Sequence, residues 1–161
     1  MILLPFYALG QNEFSIDLYR HTIHHSDYKA TFQVSEAKVI KLDLTKHYYW
    51  YSNNAVKVTQ GAYAGKLLDG TYIASYNNGN LKEKGFFILG LKDGEWKTWD
   101  ENGVLMESIT YRKGMLHGAF NNFEVGKLKE SGNYKNGALH GSMNVYGEQD
   151  SIAISKYKDG K

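Results

Sequence analysis

Apolar and polar residues alternate with a period of two along most of this chain, in segments of five to eight residues. The segments are rich in Tyr, Trp, Phe, Val and Ile, the side chains that fit a pleated, half-buried surface. Asn-Gly or Asp-Gly dipeptides punctuate them at Asp69-Gly70, Asn78-Gly79, Asp93-Gly94, Asn102-Gly103, Asn136-Gly137 and Asp159-Gly160. Such pairs tolerate the positive φ angles of tight hairpin turns. A short helical stretch is allowed only inside residues 12–30. The pattern therefore predicts an all-β chain of consecutive hairpins.

The hairpins repeat. Gly70, Gly94, Gly118 and Gly141 are separated by 24, 24 and 23 residues. Gly79, Gly103 and Gly126 make a second column, and Gly90, Gly114, Gly137 and Gly160 a third. One hairpin alone is marginal in water, so successive copies must pair edge to edge. The expected fold is an elongated antiparallel β-meander with about 23–24 residues per repeat. A degenerate copy begins near Tyr49.

Gly-x-aromatic, then Asn-Gly-x-Leu-x-Glu, then Tyr-x-x-Gly-x-x-x-Gly resembles the MORN repeat in its bacterial variant, over roughly residues 47–161 and most sharply over 70–141. The resemblance implies a repeat scaffold for interactions with proteins or lipid surfaces; some bacterial variants bear an antitoxin label. The chain thus divides into residues 1–11, a capping segment 12–46 and a MORN-like repeat domain 47–161. In the capping segment, Ala30–Ser35 and Val39–Leu44 alternate as further strands.

Counted from each turn glycine, the second strands carry Leu81, Leu105 and Leu128 at position two. Glu83, Glu107 and Glu130 stand at position four, and Phe87, Tyr111 and Tyr134 at position eight. Strict alternation puts all of these on one face. Gly85 and Gly132, at position six, leave room for a neighbouring ring to lie across the backbone. In the first strands, Tyr72, Trp96 and Phe120 at position two and Trp99, Phe123 and Tyr146 at position five fall on opposite faces. One ring row is expected to join the leucines as core. The other, with Tyr76, is a candidate binding surface: Trp99, Phe123, Tyr146 and Tyr76.

Composition changes the picture in a few places. The chain has 161 residues, with 17 glycines, one proline, 13 tyrosines, 7 phenylalanines and 3 tryptophans. So many rings argue against disorder. The formal net charge of +2 is too small to suggest nucleic acid. Zero cysteines remove disulfides and thiolate chemistry. Met1–Gln11 reads as the end of a truncated secretory signal, with Ala8-Leu9-Gly10 as the cleavage site, or as a buried N-terminal strand. The first reading implies export to periplasm, outer surface or medium, against a cytoplasmic alternative.

His21, His24 and His25 would gather on a helical turn as zinc requires, but no fourth ligand is identifiable. They read as a polar surface segment. His117 and His140 stand where Asp69 and Asp93 stand in other copies, which marks a turn-capping role. The Glu83, Glu107, Glu130 column reads as a solvated ladder, the alternative being a site for cations or a basic partner. Its members lie two strands, about 9.6 Å, apart, too far to share an ion. No catalytic triad, phosphate loop or carboxylate pair is present in the sequence, so no catalytic, cofactor or metal residues are assigned and a non-enzymatic role is expected. The leading expectation is an exported scaffold for an unidentified protein partner. The alternatives are a glycan- or lipid-binding module using the exposed ring row, and an antitoxin-like partner of an intracellular toxin. The apolar run Ile152–Ile154 also predicts self-association through the C-terminal edge.

Overall fold

The computed structural model describes residues 19–36, 41–147 and 151–161. Residues 1–11, and with them the expected leader, lie outside this range. Among the described residues every regular element is a strand. These are β1 (Arg20–His24), β2 (Tyr28–Val34), β3 (His47–Ser52), β4 (Ala55–Gln60), β5 (Lys66–Tyr76), β6 (Leu81–Ile88) and β7 (Leu91–Trp99). There follow β8 (Leu105–Arg112), β9 (Met115–Glu124), β10 (Lys127–Lys135), β11 (Ala138–Leu139), β12 (Gly141–Tyr146) and β13 (Ile152–Tyr157). The main sheet runs β1-β2-β5-β6-β7-β8-β9-β10-β12-β13, with consecutive strands antiparallel. It is the expected meander, extended at one edge by the β1–β2 hairpin. The allowance for a helix inside 12–30 fails over β1 and β2, where Ile23, Ala30, Phe32 and Val34 alternate into the core. Of the second strand expected in the capping segment, Lys41–Leu44 is not extended into a ladder, and the rest is undescribed.

The β3–β4 hairpin is not a further copy in this row. It pairs with the start of β5 through Trp50–Leu67 and Tyr51–Lys66, then folds over the sheet. Tyr49 reaches Phe87 (ring centroids 5.0 Å), and Tyr51 reaches Phe32 (5.3 Å) and His21 (4.5 Å). Beneath it lies the main core: Ile23, Ala30, Phe32, Leu68, Phe87 and Trp96 among others. Tyr48 and Trp50 alternate the other way and form a second cluster with Leu67.

Two corrections concern the turns. Asp69-Gly70 and Asp93-Gly94 lie inside β5 and β7, not at hairpin tips. The hairpin tips on that edge are Leu89-Gly90, Lys113-Gly114 and Asn136-Gly137, and Asp159-Gly160 makes a matching turn after β13. Both residues of each pair have positive φ, for example 48° and 81° at Lys113-Gly114, as a type I′ turn requires. The internal Asp-Gly pairs are bulges instead. Between Lys84–Lys97 and Phe86–Asp93 the register advances two residues on β6 and four on β7. The bulge turns Asp93 toward the neighbouring tip, where its carboxylate accepts the Lys113 N–H at 2.8 Å. Asp69 does the same for Leu89 (3.1 Å) and His117 for Asn136 (3.4 Å). These side chains cap the tip of the following hairpin, so adjacent repeats are tied across the row.

Candidate interaction faces

The register assigns each ring to a face. Cross-strand partners share a face, so Tyr72–Gly85, Trp96–Ile109, Ile109–Phe120 and Phe120–Gly132 define one row on the inner face. Tyr72, Trp96 and Phe120 are thus the core ring row. The leucines do not join them. Each second strand holds one extra residue between its leucine and its glutamate: Lys82, Met106 or Lys129. This bulge reverses alternation, so Leu81, Leu105 and Leu128 oppose Ser75, Trp99 and Phe123 instead of sitting with Glu83, Glu107 and Glu130. Strict alternation fails at the bulge.

On the inner face, glycine permits close approach. A Cβ at Gly85 would collide with the Trp96 ring, and one at Gly132 would meet Phe120 at 2.7 Å. Trp96 also packs edge-on against Phe87 (4.8 Å) and donates its indole N–H to the Phe86 carbonyl (3.2 Å). Lys92 is the unexpected neighbour. Its Nζ lies 3.8 Å from the Trp96 ring centroid and 3.0 Å from Glu83 Oε1. Tyr49 and Tyr111 stand further out around it, at 5.6 and 5.5 Å. Burial, reinforced by Glu83, raises the Tyr49 hydroxyl above its ordinary pKa; burial and then Glu107 do the same for Tyr111.

Further along, the inner face is a single layer. Glu107 and Glu130 both oppose Asn122, and Asn122 donates its amide to Glu130 at 3.1 Å. Neither carboxylate forms an ion pair among the described residues. Phe120 packs tilted against Tyr134 (ring centroids 4.9 Å), and no ring of the β3–β4 hairpin reaches either.

The outer face carries Trp99, Phe123 and Tyr146, all half-buried. Tyr146 and Ser131 hydroxyls lie 3.1 Å apart. Tyr76 departs from this row. Its register partner is Tyr28, beside the core pair Ala30–Ala74, because its even separation from Tyr72 keeps it inward. There its hydroxyl donates to the Trp99 carbonyl at 3.0 Å and its ring lies 5.0 Å from Lys82 Nζ. Beside Trp99 an open groove of about 410 Å³ is lined by Thr71, Leu81, Lys84, Phe86, Glu95 and Lys97. A smaller recess of about 210 Å³ adjoins it through Thr71 and reaches Arg20, Thr31 and Gln33. The Lys97 ammonium (2.9 Å) and then the Ser108 hydroxyl (2.8 Å) bond Glu95 and lower its pKa. Sequence reasoning missed Phe86 and Lys97 here, since only the register at the Gly94 bulge brings them beside Trp99.

The histidines separate. His21 faces inward against Tyr51, alternation sends His24 to the opposite face, and His25 stacks on Tyr28 (4.2 Å). Among the described residues no group of three or more His, Cys, Asp or Glu could hold a metal ion, and no helix is long and apolar enough to cross a membrane.

The family model described as MORN repeat variant matches residues 68–88 and 92–113. These two stretches are the β5–β6 and β7–β8 hairpins. Repeats of this kind are generally associated with protein and membrane interactions. No curated protein and no solved structure matches the chain.

Proposed function

We propose that this chain, a MORN repeat protein, is a non-enzymatic scaffold that holds a protein partner on the open inner face of β8–β12. The supporting observation is the contrast in cover. Over the first strands, the chain's own hairpin lays Tyr49 and Tyr51 on the inner face, and Lys92 meets Glu83. Over the later strands Tyr111, Phe120 and Tyr134 continue the same surface, and among the described residues no cation pairs with Glu107 or Glu130. A segment supplying rings and a basic side chain would repeat there what the hairpin's tyrosines and Lys92 of β7 together supply to the first strands. The carboxylates stand about 9.6 Å apart, a spacing suited to binding along the sheet and not to a convergent catalytic pair.

A photoreactive phenylalanine at position 134, in the full chain within the producing cells, tests this reading. One discrete protein adduct is expected from position 134. It should be lost when Glu107→Lys and Glu130→Lys are combined, and absent when the probe stands at position 123 on the outer face. An adduct that survives charge reversal, or that forms only from position 123, would overturn the reading.

A second reading rests on β13, where Ile152 and Ile154 are 54% and 63% exposed on a strand that, among the described residues, pairs along one side only. Unpaired edges recruit further strands, here a second copy of the chain. Sedimentation across a concentration series should show association that Ile154→Lys abolishes. A wild-type chain that stays monomeric would remove this reading and leave the first untouched.

A further inference from the structure

The outer face carries features that an inner-face scaffold does not use. Phe86 is 45% exposed and Leu81 37%; with Trp99 they form apolar platforms in one groove. Two cations flank them: Lys84 in the groove and Arg20 in the adjoining recess. Neither forms an ion pair among the described residues, while the nearby Glu95 is already engaged by Lys97 and Ser108. The groove therefore presents unmatched positive charge beside exposed rings. Thr31, Thr71 and Gln33 add hydroxyl and amide groups around it.

The ring spacing adds a second constraint. Trp99, Phe123 and Tyr146 stand on β7, β9 and β12, each two strands from the next. Two strand spacings are about 9.6 Å, close to the length of two pyranose rings in an extended chain. Flat sugar faces stack on aromatic rings, and the adjacent polar row Asn121, Ser131, Asn144 can bond hydroxyls. A peptide added by strand pairing needs a free edge, which these central strands lack. A single-stranded nucleic acid needs a groove of cations that tracks its backbone, and among the described residues the groove and its recess hold two unmatched ones, Lys84 and Arg20.

We propose that the outer face binds an extended, carboxylate-bearing polysaccharide laid across the strands. Its sugar rings rest on Phe86 and Trp99 and continue toward Phe123 and Tyr146, and its carboxylates meet Lys84 and Arg20. Affinity electrophoresis of the full chain in gels containing polygalacturonate, alginate or hyaluronate tests this directly. At least one of the three should retard the chain, and the methyl-esterified form of polygalacturonate should do so more weakly than the acid form. Trp99→Ala and Lys84→Gln should each weaken retardation about tenfold, a change of about 1.4 kcal/mol, whereas Lys57→Gln on the covering hairpin should not. Circular dichroism identifies any variant that fails to fold, and Phe86→Ser then replaces Trp99→Ala. No retardation by any of the three polymers would overturn the proposal. So would equal binding to oligothymidylate or to vesicles of anionic phospholipid, since charge alone would then account for it.

Discussion

Strands β6–β7 and β9–β10 carry the same ring-over-glycine unit in two settings. In the first, Trp96 lies on Gly85 beneath Tyr49 and Lys92. In the second, Phe120 lies on Gly132 in a single layer with Tyr134 beside it. Both rings are almost fully buried, at 4% and 3% exposure. The repeat therefore shields its own ring with neighbours in the same sheet. The covering hairpin adds a second layer of contacts, and in doing so it takes the place that a partner could take over the later strands.

The largest expected difference is in truncation of the rings. Trp96→Ala should cost about 3–5 kcal/mol, because the hairpin, Phe87 and Lys92 all lose contacts around a site that cannot collapse. Phe120→Ala should cost less, since among the described residues no ring of the covering hairpin and no lysine packs on it and only neighbours in the sheet lose contacts. Denaturant unfolding measures both, and an equal or larger loss at Phe120 would break the comparison. Next come the glycines. Gly85→Ala should destabilise by about 1–3 kcal/mol, because Trp96 has nowhere to move. Gly132→Ala should destabilise less, since its Cβ would meet only the edge of the Phe120 ring, at 2.7 Å.

A smaller effect separates the halves by pH. Burial, and then Lys66, hold the His21 imidazole below its ordinary pKa of about 6.5, where it packs tilted against Tyr51 of the hairpin. The unfolded chain then takes up the proton first. Stability contributed here is fully present above about pH 6.5 and falls as pH drops toward the lowered folded value. Lys66 on β5 is the one charged group acting on His21 in this packing. His21→Phe should flatten that slope, whereas Glu130→Gln in the open half should leave it intact. An unchanged slope in His21→Phe would show that other groups govern it.

The smallest effect is a gain. Val125 has φ of 50° and is 92% exposed at the β9–β10 tip, a strained conformation for a β-branched residue. Val125→Asn should stabilise the open half by about 1 kcal/mol, raising amide protection in β9 and β10 but not in β2 or β5. Hydrogen exchange would show this, and uniform gain along the chain would count against independent repeats.

Period-two alternation and three glycine columns determined the strands, the meander and the separation of the rings into two rows on opposite faces, since local pattern and spacing are what those features depend on. That Tyr72, Trp96 and Phe120 are the inward row came from strand register. Gly85 and Gly132 were also legible as places for a ring to cross. The leucines were not. A bulge at Lys82, Met106 or Lys129 changes which residues oppose one another, and a one-residue slip moves a side chain to the other face. The internal Asp-Gly pairs misled for a related reason: the same dipeptide suits a turn tip and a bulge, and only pairing with the next strand distinguishes them. The hairpin at Tyr49–Tyr51 has the composition of any other copy, yet it covers the sheet instead of extending it. That choice belongs to tertiary structure alone, because burying Phe32, Phe87 and Trp96 requires a second layer, and local sequence does not specify which strands supply it.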